Sequence, residues 1–110
     1  MNFLNRFPHP QEVALAISLD QDIYAFVEAA RARGPIAKGI LETVRLLERG
    51  KAKTVIVAEN VNPPQRLDIV RDLCREKGVP LYGVSDKLRL GTCAGLEVGA
   101  SCVAMRLEMK

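Results

Sequence analysis

Lys53-Thr-Val-Ile-Val-Ala58 is the stretch of this 110-residue sequence that decides its fold. Its four central residues include three that are β-branched and aliphatic, and polar and apolar positions do not alternate along it. Such a run is typical of a strand buried on both faces, as in a sheet that carries helices on either side. The sequence therefore predicts an α/β protein whose central strand covers residues 53–58.

Two helices and a short extended piece are predicted before this strand. From Ile23 the apolar residues recur at helical spacing, and Gly34-Pro35 ends the pattern because neither residue continues a helix well. Residues 36–38 form a short extended piece. Gly39 then begins a second helix, and Gly50 stops it.

The pattern continues after the central strand with alternating helices and strands. Pro63-Pro64 suits a helix start, where a missing N–H costs nothing, and Gly78 closes that helix. The remaining predicted elements are a second buried strand over 80–84, a short helix from Asp86 to about Gly91 capped by Ser85, a tight turn over 91–95 and a final strand over 100–105.

This alternation predicts a three-layer α/β/α sandwich with a small mixed sheet. Residues 19–110 are expected to form one domain, since 110 residues leave little room for a second. Residues 1–18 are expected to form an irregular or loosely docked N-terminal arm. Pro8 and Pro10 break any early helix there, and Asp20 marks the start of the first regular helix.

The sequence lacks the motifs by which many enzymes and metal sites are recognised. Cys74, Cys93 and Cys102 are widely spaced without a Cys-x-x-Cys pair, so we expect buried thiols and no zinc site or disulfide framework. The single histidine, His9, lies between two prolines of the arm, and no nucleotide-binding or hydrolase motif occurs. We therefore expect a non-enzymatic protein with no cofactor and no small-molecule substrate.

Charge and hydropathy narrow the class of partner. No apolar stretch approaches the roughly 20 residues that cross a membrane, and no signal peptide is evident, so an intracellular protein without a membrane partner is expected. The net charge of +3 comes from residues 50–110, which hold ten basic and seven acidic side chains. That excess is compatible with a polyanionic partner. The low aromatic content, 5% without Trp, argues against a base-stacking platform for single strands.

Three segments are candidates for binding, and each has a structural alternative. Lys38-Gly39 starts a helix, where backbone N–H groups and a lysine favour a phosphate, although glycine also serves a tight turn. Residues 59–62 follow a buried strand, and their asparagines could contact base edges or merely cap the next helix. Residues 90–96 are small and apolar, and could lie against a nucleobase or form a packed turn.

In this order and spacing, the segments resemble the superfamily of ribosomal and kink-turn-binding proteins. The motifs that carry the resemblance are Lys38-Gly39-x-x-Glu42-x-x-Arg45, Arg49-Gly50-x-Ala52-Lys53, residues 56–64 (IVAENVNPP), Leu73-Cys74 and Leu90-Gly91-x-x-Ala94-Gly95. The resemblance covers about residues 20–107 and implies an α/β/α sandwich with one RNA face. By motif match, the residues implied on that face are Lys38, Gly39, Glu42, Arg45, Glu59, Asn60, Leu90, Gly91, Ala94, Gly95 and Leu96.

One branch of the superfamily is matched more closely. Gly39-Ile-Leu-Glu42, Leu73-Cys74 and residues 100–103 resemble the eukaryotic small-subunit ribosomal protein twelve of the "e" type. The resemblance implies a structural constituent of the small ribosomal subunit in the cytoplasm, with rRNA and neighbouring ribosomal proteins as partners. The candidates for phosphate contacts are Lys38, Arg45, Lys51, Lys53 and Lys87, although Lys51 and Lys53 could instead only solvate the start of a strand.

Two other functions remain open. Asn62-Pro63-Pro64 and the short connection over 97–99 resemble an archaeal kink-turn binder of the large subunit and guide-RNA particles. Such binders typically carry Asn where this chain has Leu41, and leucine cannot make the corresponding hydrogen bond to a guanine edge. A reduced eukaryotic protein with a shortened loop would reconcile the two patterns. The low net charge also fits a protein-interaction module that lost RNA binding.

Overall fold

The computed structural model describes the backbone of residues 10–107 and the side chains of residues 19–107. A 3₁₀ helix, Pro64–Leu67, leads directly into the α-helix that begins at Asp68. In chain order the elements are α1 (Pro10–Arg33), β1 (Ala37–Lys38), α2 (Ile40–Glu48), β2 (Ala52–Ala58), α3 (Asp68–Lys77), β3 (Leu81–Val84), α4 (Lys87–Cys93) and β4 (Cys102–Arg106). None of the helices in the described part of the chain has the length and apolar character of a membrane span.

The four strands form one mixed sheet in the order β1-β4-β2-β3. β2 pairs in parallel with β3 and antiparallel with β4, and β1 is antiparallel to β4. Successive side chains of a strand point to opposite faces, yet Val55, Ile56, Val57 and Ala58 are all at most 1% exposed. Both faces of β2 are therefore covered, α1 packing with α4 and α2 with α3. The predicted α/β sandwich with a small mixed sheet is confirmed.

The three cysteines are buried free thiols, as predicted from their apolar surroundings. Cys102 lies at the start of β4 and its thiol donates to the hydroxyl oxygen of Thr43 over 3.5 Å. Burial raises the pKa of the Cys102 thiol to about 11, and the bond to Thr43 only partly opposes that rise. Cys102 therefore stays protonated near neutral pH and packs as a small apolar side chain.

The first helix begins earlier than predicted. α1 starts at Pro10, where an irregular arm was predicted up to residue 18 and a helix from Asp20. Pro10 occupies the first helical position, where its fixed φ suits the helix and its missing N–H has no intrahelical partner to lose. The proline predicted to break a helix therefore begins one. Residues 1–9, with Pro8 and His9, lie outside the described residues.

Two elements of the second half also differ from prediction. β3 was predicted to be a buried strand, but it is an edge strand and Tyr82 is 49% exposed. Of the turn predicted over residues 91–95, residues 91–93 instead belong to α4, which continues to Cys93, and residues 94–95 form the turn. Asp86, not Ser85, caps this helix, its carboxylate accepting from the Leu88 N–H over 3.0 Å.

Candidate functional site

Two of the three predicted binding segments, residues 38–39 and 59–62, meet at one end of the sheet, because β4 is antiparallel to both β1 and β2. The Gly39 N–H donates to the Cys102 carbonyl over 2.8 Å, and the Ala58 N–H donates to the Ser101 carbonyl over 2.9 Å. β3 ends at the same place, and the Glu59 N–H donates to its last carbonyl, that of Val84. We term this the upper end of the sheet. It comprises Lys38–Gly39, Glu59–Asn60, Asp86–Lys87 and residues 98–101.

The start of α2 offers unpaired backbone N–H groups at the upper end. Gly39 has φ 90° and ψ 169°, a conformation that is strongly unfavourable for any other residue, and it brings no capping side chain. Its carbonyl accepts the Thr43 N–H over 3.1 Å, so the helix begins immediately after it. The N–H groups of the first turn and the positive helix end can therefore face an anion, with Lys38 beside them.

α2 also carries a pair of charged side chains, Glu42 in its first turn and Arg45 in its last turn. Glu42 and Arg45 form an ion pair of 3.7 Å, three residues apart on one helix face, and each side chain is 56% exposed. Leu41 lies in the same first turn and is 62% exposed. The residue that departs from the kink-turn pattern therefore points towards solvent at the upper end.

The Asn60 side chain is engaged inside the protein. Its carbonyl oxygen accepts the Lys87 N–H over 2.9 Å, and its amide group donates to the Asp86 carboxylate over 3.5 Å. Asn60 thus satisfies a first-turn N–H of α4 and fixes the end of β2 against the start of that helix. The capping alternative was predicted for the next helix in the chain, whereas the helix that Asn60 caps is α4, which begins 27 residues later.

Replacing Asn60 is expected to loosen this end of the sheet. Asn60→Ala removes the acceptor for the Lys87 N–H, and loss of such a cap costs about 1 kcal/mol of unfolding free energy. Asn62→Ala is the matched control, since Asn62 is exposed and forms no hydrogen bond with other described residues. Urea denaturation followed by circular dichroism measures both variants. Equal stabilities of the two variants would contradict the capping role.

α1 braces the upper end through residues that sequence reasoning did not select. The Tyr24 hydroxyl accepts the Asp86 N–H over 3.1 Å, and the Asp20 carboxylate accepts the Ser85 hydroxyl over 2.9 Å. The Arg89 guanidinium stacks 4.6 Å from the centre of the Tyr24 ring. The sequence indicates only a helix start at Asp20, and no pattern in it pairs this residue with one 65 positions away.

The apolar segment predicted for the RNA face is largely buried. Leu90 and Ala94 are fully buried and Gly91 is buried within α4, so none of them can lie directly against a base. Gly95, with φ +87°, follows the far end of α4 under the Arg31 side chain. The Leu96 N–H donates to the Gly91 carbonyl over 2.8 Å, and Leu96 is half-buried. These residues support the upper end from beneath.

The chain then returns along α4 to the upper end. The Val98 carbonyl packs against Gly91, and the Ala100 N–H donates to the Lys87 carbonyl over 2.9 Å. Val98 and Leu88 are 66% and 61% exposed, so they are the apolar side chains that this region presents to solvent. Sequence reasoning missed both, although the exposed position of Leu88 in the first turn of a short helix was a usable signal.

Lys51 and Lys53 are not brought to the upper end. They lie at the start of β2, beside the last residues of β4, since Ala52 pairs with Arg106. The six residue steps of β2 at roughly 3.3 Å each put them about 20 Å from Glu59. Of the five predicted phosphate contacts, Lys38, Arg45 and Lys87 lie at or beside the upper end.

The upper end suits recognition of a shaped polyanion more than catalysis. Its cations are accompanied by Glu42, Glu59 and Asp86, and the Glu59 side chain lies over the backbone of Gly83. Across the described residues, no three His, Cys, Asp or Glu side chains are grouped to hold a metal ion. The upper end therefore presents backbone N–H groups, lysine side chains and apolar methyl groups, and contacts from α1 hold it in place.

Comparison with known proteins agrees with this fold. Among solved structures, the Giardia lamblia 15.5kD RNA binding protein superposes with a TM-score of 0.75 and 23% sequence identity. The likeness covers 94% of this chain and 81% of the Giardia chain, and at that identity it establishes the fold. The family match spans residues 21–109, which is most of the sequence, and it agrees with a non-enzymatic protein. The chain therefore belongs to the ribosomal protein L7Ae/L30e/S12e/Gadd45 family.

Proposed function

We propose that this chain is a non-enzymatic RNA-binding protein that holds folded rRNA at the upper end of its sheet. The observation that carries the proposal is the start of α2, where Gly39 leaves the first-turn N–H groups uncapped beside Lys38. Phosphate oxygens are the ligands that such a helix start favours. The family match and the structural likeness to an RNA-binding protein support the same function.

In this proposal, phosphate contacts set the position of the RNA. Lys38 precedes the start of α2, Arg45 lies in its last turn beside Glu42, and Lys87 lies at the start of α4, so an RNA backbone can run across this end of the sheet. Leu88 and Val98 lie beside Lys87 and cover unstacked bases or the shallow groove of a helix. Recognition therefore combines charge with shape.

We place the protein on the small ribosomal subunit in the cytoplasm, with neighbouring ribosomal proteins as further partners. The likeness to protein twelve of the "e" type over residues 39–42 supports this assignment. The 62% exposure of Leu41 also supports it, because that side chain offers methyl groups where kink-turn binders offer an amide. Residues 19–110 are proposed as the RNA-binding domain.

A kink-turn binder of the large subunit and guide-RNA particles is the second candidate. The connection between α4 and β4, residues 94–101, is short, as in the archaeal proteins that this sequence resembles. Tight binding to an isolated kink-turn hairpin would favour it over the first. A protein-interaction module without RNA is a third candidate, and RNA-free protein from a native purification would favour that one.

Fractionation of source-cell lysate on a sucrose gradient at low magnesium separates these candidates. Blotting for the protein is expected to show a peak with the small subunit, because low magnesium dissociates the two subunits before sedimentation. A peak with the large subunit would support the kink-turn candidate in spite of Leu41. Recovery only at the top of the gradient would remove both ribosomal assignments.

A further inference from the structure

A groove of about 200 Å³ lies at the opposite end of the sheet from the proposed RNA contacts. We term this the lower groove. It opens between the second half of α1, the link from α1 to β1, and the last residues of β4. Its lining residues are Phe26, Ala29, Ala30, Arg33, Gly34, Pro35, Ile36, Lys53, Met105, Arg106 and Leu107.

The lower groove exists because β1 is only two residues long. Ala37 pairs with Ala104, so the antiparallel register would place Pro35 opposite Arg106. Pro35 has no N–H to donate across the ladder, and Gly34-Pro35 turns the chain towards α1 instead. The end of β4 therefore has no strand neighbour on its β1 side.

The walls of the lower groove are apolar and partly open to solvent. Phe26, Ala29 and Ala30 follow helical spacing along α1, so they form one stripe on its surface. Phe26 is 44% exposed and Leu107, on the opposite wall, is 43% exposed. Two large apolar side chains exposed together across a groove are a feature of interaction sites.

The charged side chains that the structure describes at the rim of the lower groove are all positive. Lys53 and Arg106 lie at its mouth with Arg33, and none of the lining residues that the structure describes is acidic. Among the described residues, neither Lys53 nor Arg106 forms an ion pair. The charge that complements this rim is negative.

We propose that the lower groove docks an acidic segment of a protein partner, which inserts one large apolar side chain between Phe26 and Leu107. Carboxylates on either side of that anchor pair with Lys53 and Arg106. The cavity is smaller than the roughly 300–1,000 Å³ of typical small-molecule pockets, and it suits a single side chain better than a free metabolite. A peptide is favoured over RNA because Phe26 is the one aromatic side chain among the described lining residues, which leaves no platform for successive bases.

This inference goes beyond the proposed RNA binding and is independent of it. The lower groove and the start of α2 lie at opposite ends of the sheet, about 20 Å apart along β2. RNA and a protein partner can therefore be held at the same time. The protein would then link an RNA element to a neighbouring acidic segment.

The test uses the full chain and a phage-displayed library of random peptides. Selected peptides are expected to combine a large apolar residue with several Asp or Glu. Their affinity, measured by fluorescence anisotropy, is expected to fall about tenfold with Lys53→Glu/Arg106→Glu. The matched control, Lys38→Glu/Lys87→Glu, makes the same charge change at the upper end and is expected to leave peptide affinity within twofold.

Two further measurements distinguish peptide docking from a folding defect and from a different occupant of the lower groove. Phe26→Ala keeps every charge and is expected to weaken the same peptides, while amide NMR shifts map to residues 26, 36 and 107. Selection of peptides without acidic residues, or equal losses in the two charge-reversed variants, would overturn the proposal. So would a fall in small-subunit rRNA affinity confined to Lys53→Glu/Arg106→Glu, which would make RNA the occupant. If both charge-reversed variants kept full rRNA affinity, the proposed RNA binding at the upper end would be contradicted, and the docking proposal would not.

Discussion

Gly91→Val is expected to lower the free energy of unfolding by about 3 kcal/mol. A Cβ atom at this position would overlap the Val98 carbonyl and lie 3.0 Å from the Gly99 Cα. Both neighbours are backbone atoms, so they cannot move aside as a flexible side chain would. Since small domains have about 5–15 kcal/mol of stability in total, the loss should be evident as a large shift of the urea midpoint.

Gly34→Val is the matched control for this substitution. Gly34 is not in the left-handed region, and a Cβ atom added to it would have no neighbour within 4 Å, so a stability change within about 0.5 kcal/mol is expected. Similar midpoints for the two variants would show that residues 97–99 do not depend on close contact with α4. The expected displacement of those residues should also weaken RNA binding, because they form part of the upper end.

The same contact explains why the end of α4 was not predicted. Gly91 and Gly95 read locally as turn residues, because glycine is a poor helix former. In the folded chain, Gly91 is needed inside the helix so that residues 98–99 can approach its backbone. That approach depends on tertiary packing, which no local pattern reveals. The same error explains why Leu90 and Ala94 were expected on the RNA face. In the folded chain, α4 turns both side chains towards the core.

The central strand could be predicted because its signal is local and strong. An unbroken apolar run such as Val55–Val57 is favourable only where both faces of the strand are covered. β3 carries a similar run, but its neighbours in the sheet are set by topology, and topology placed it at the edge. The sequence thus indicates that a segment is a strand more reliably than where it lies in the sheet.

In contrast, the position of Lys51 and Lys53 away from the RNA face could have been predicted from the sequence. Both precede or begin β2, whereas Glu59 and Asn60 follow it. A strand of seven residues separates its two ends by about 20 Å, so one RNA face could not contain all four residues close together. The cap that Asn60 forms on α4 could not be predicted from the sequence, because it depends on how close Asn60 and Lys87 lie in the folded chain.

Lys38→Glu is expected to lower the affinity for small-subunit rRNA by about tenfold or more. The substitution removes a cation beside the uncapped start of α2 and places a carboxylate where phosphates would approach. The slope of log affinity against log salt should also become shallower by about 0.7–0.9, which corresponds to one lost phosphate contact. Filter binding with deproteinised small-subunit rRNA at several salt concentrations measures both quantities.

Lys51→Glu is the matched control for Lys38→Glu. It distinguishes the loss of a contact at the start of α2 from a general loss of attraction between the protein and RNA. Each substitution changes a lysine to a glutamate and takes the net charge from +3 to +1, so non-specific attraction to RNA falls equally in both. Lys51 is exposed at the far end of β2, and its backbone carbonyl accepts the Leu107 N–H at 2.9 Å, a bond that the substitution leaves in place. A loss in Lys38→Glu that exceeds the loss in Lys51→Glu by about tenfold places the RNA at the start of α2. Equal losses would mean that the protein attracts RNA by its overall charge, and the proposed upper-end site would then be wrong.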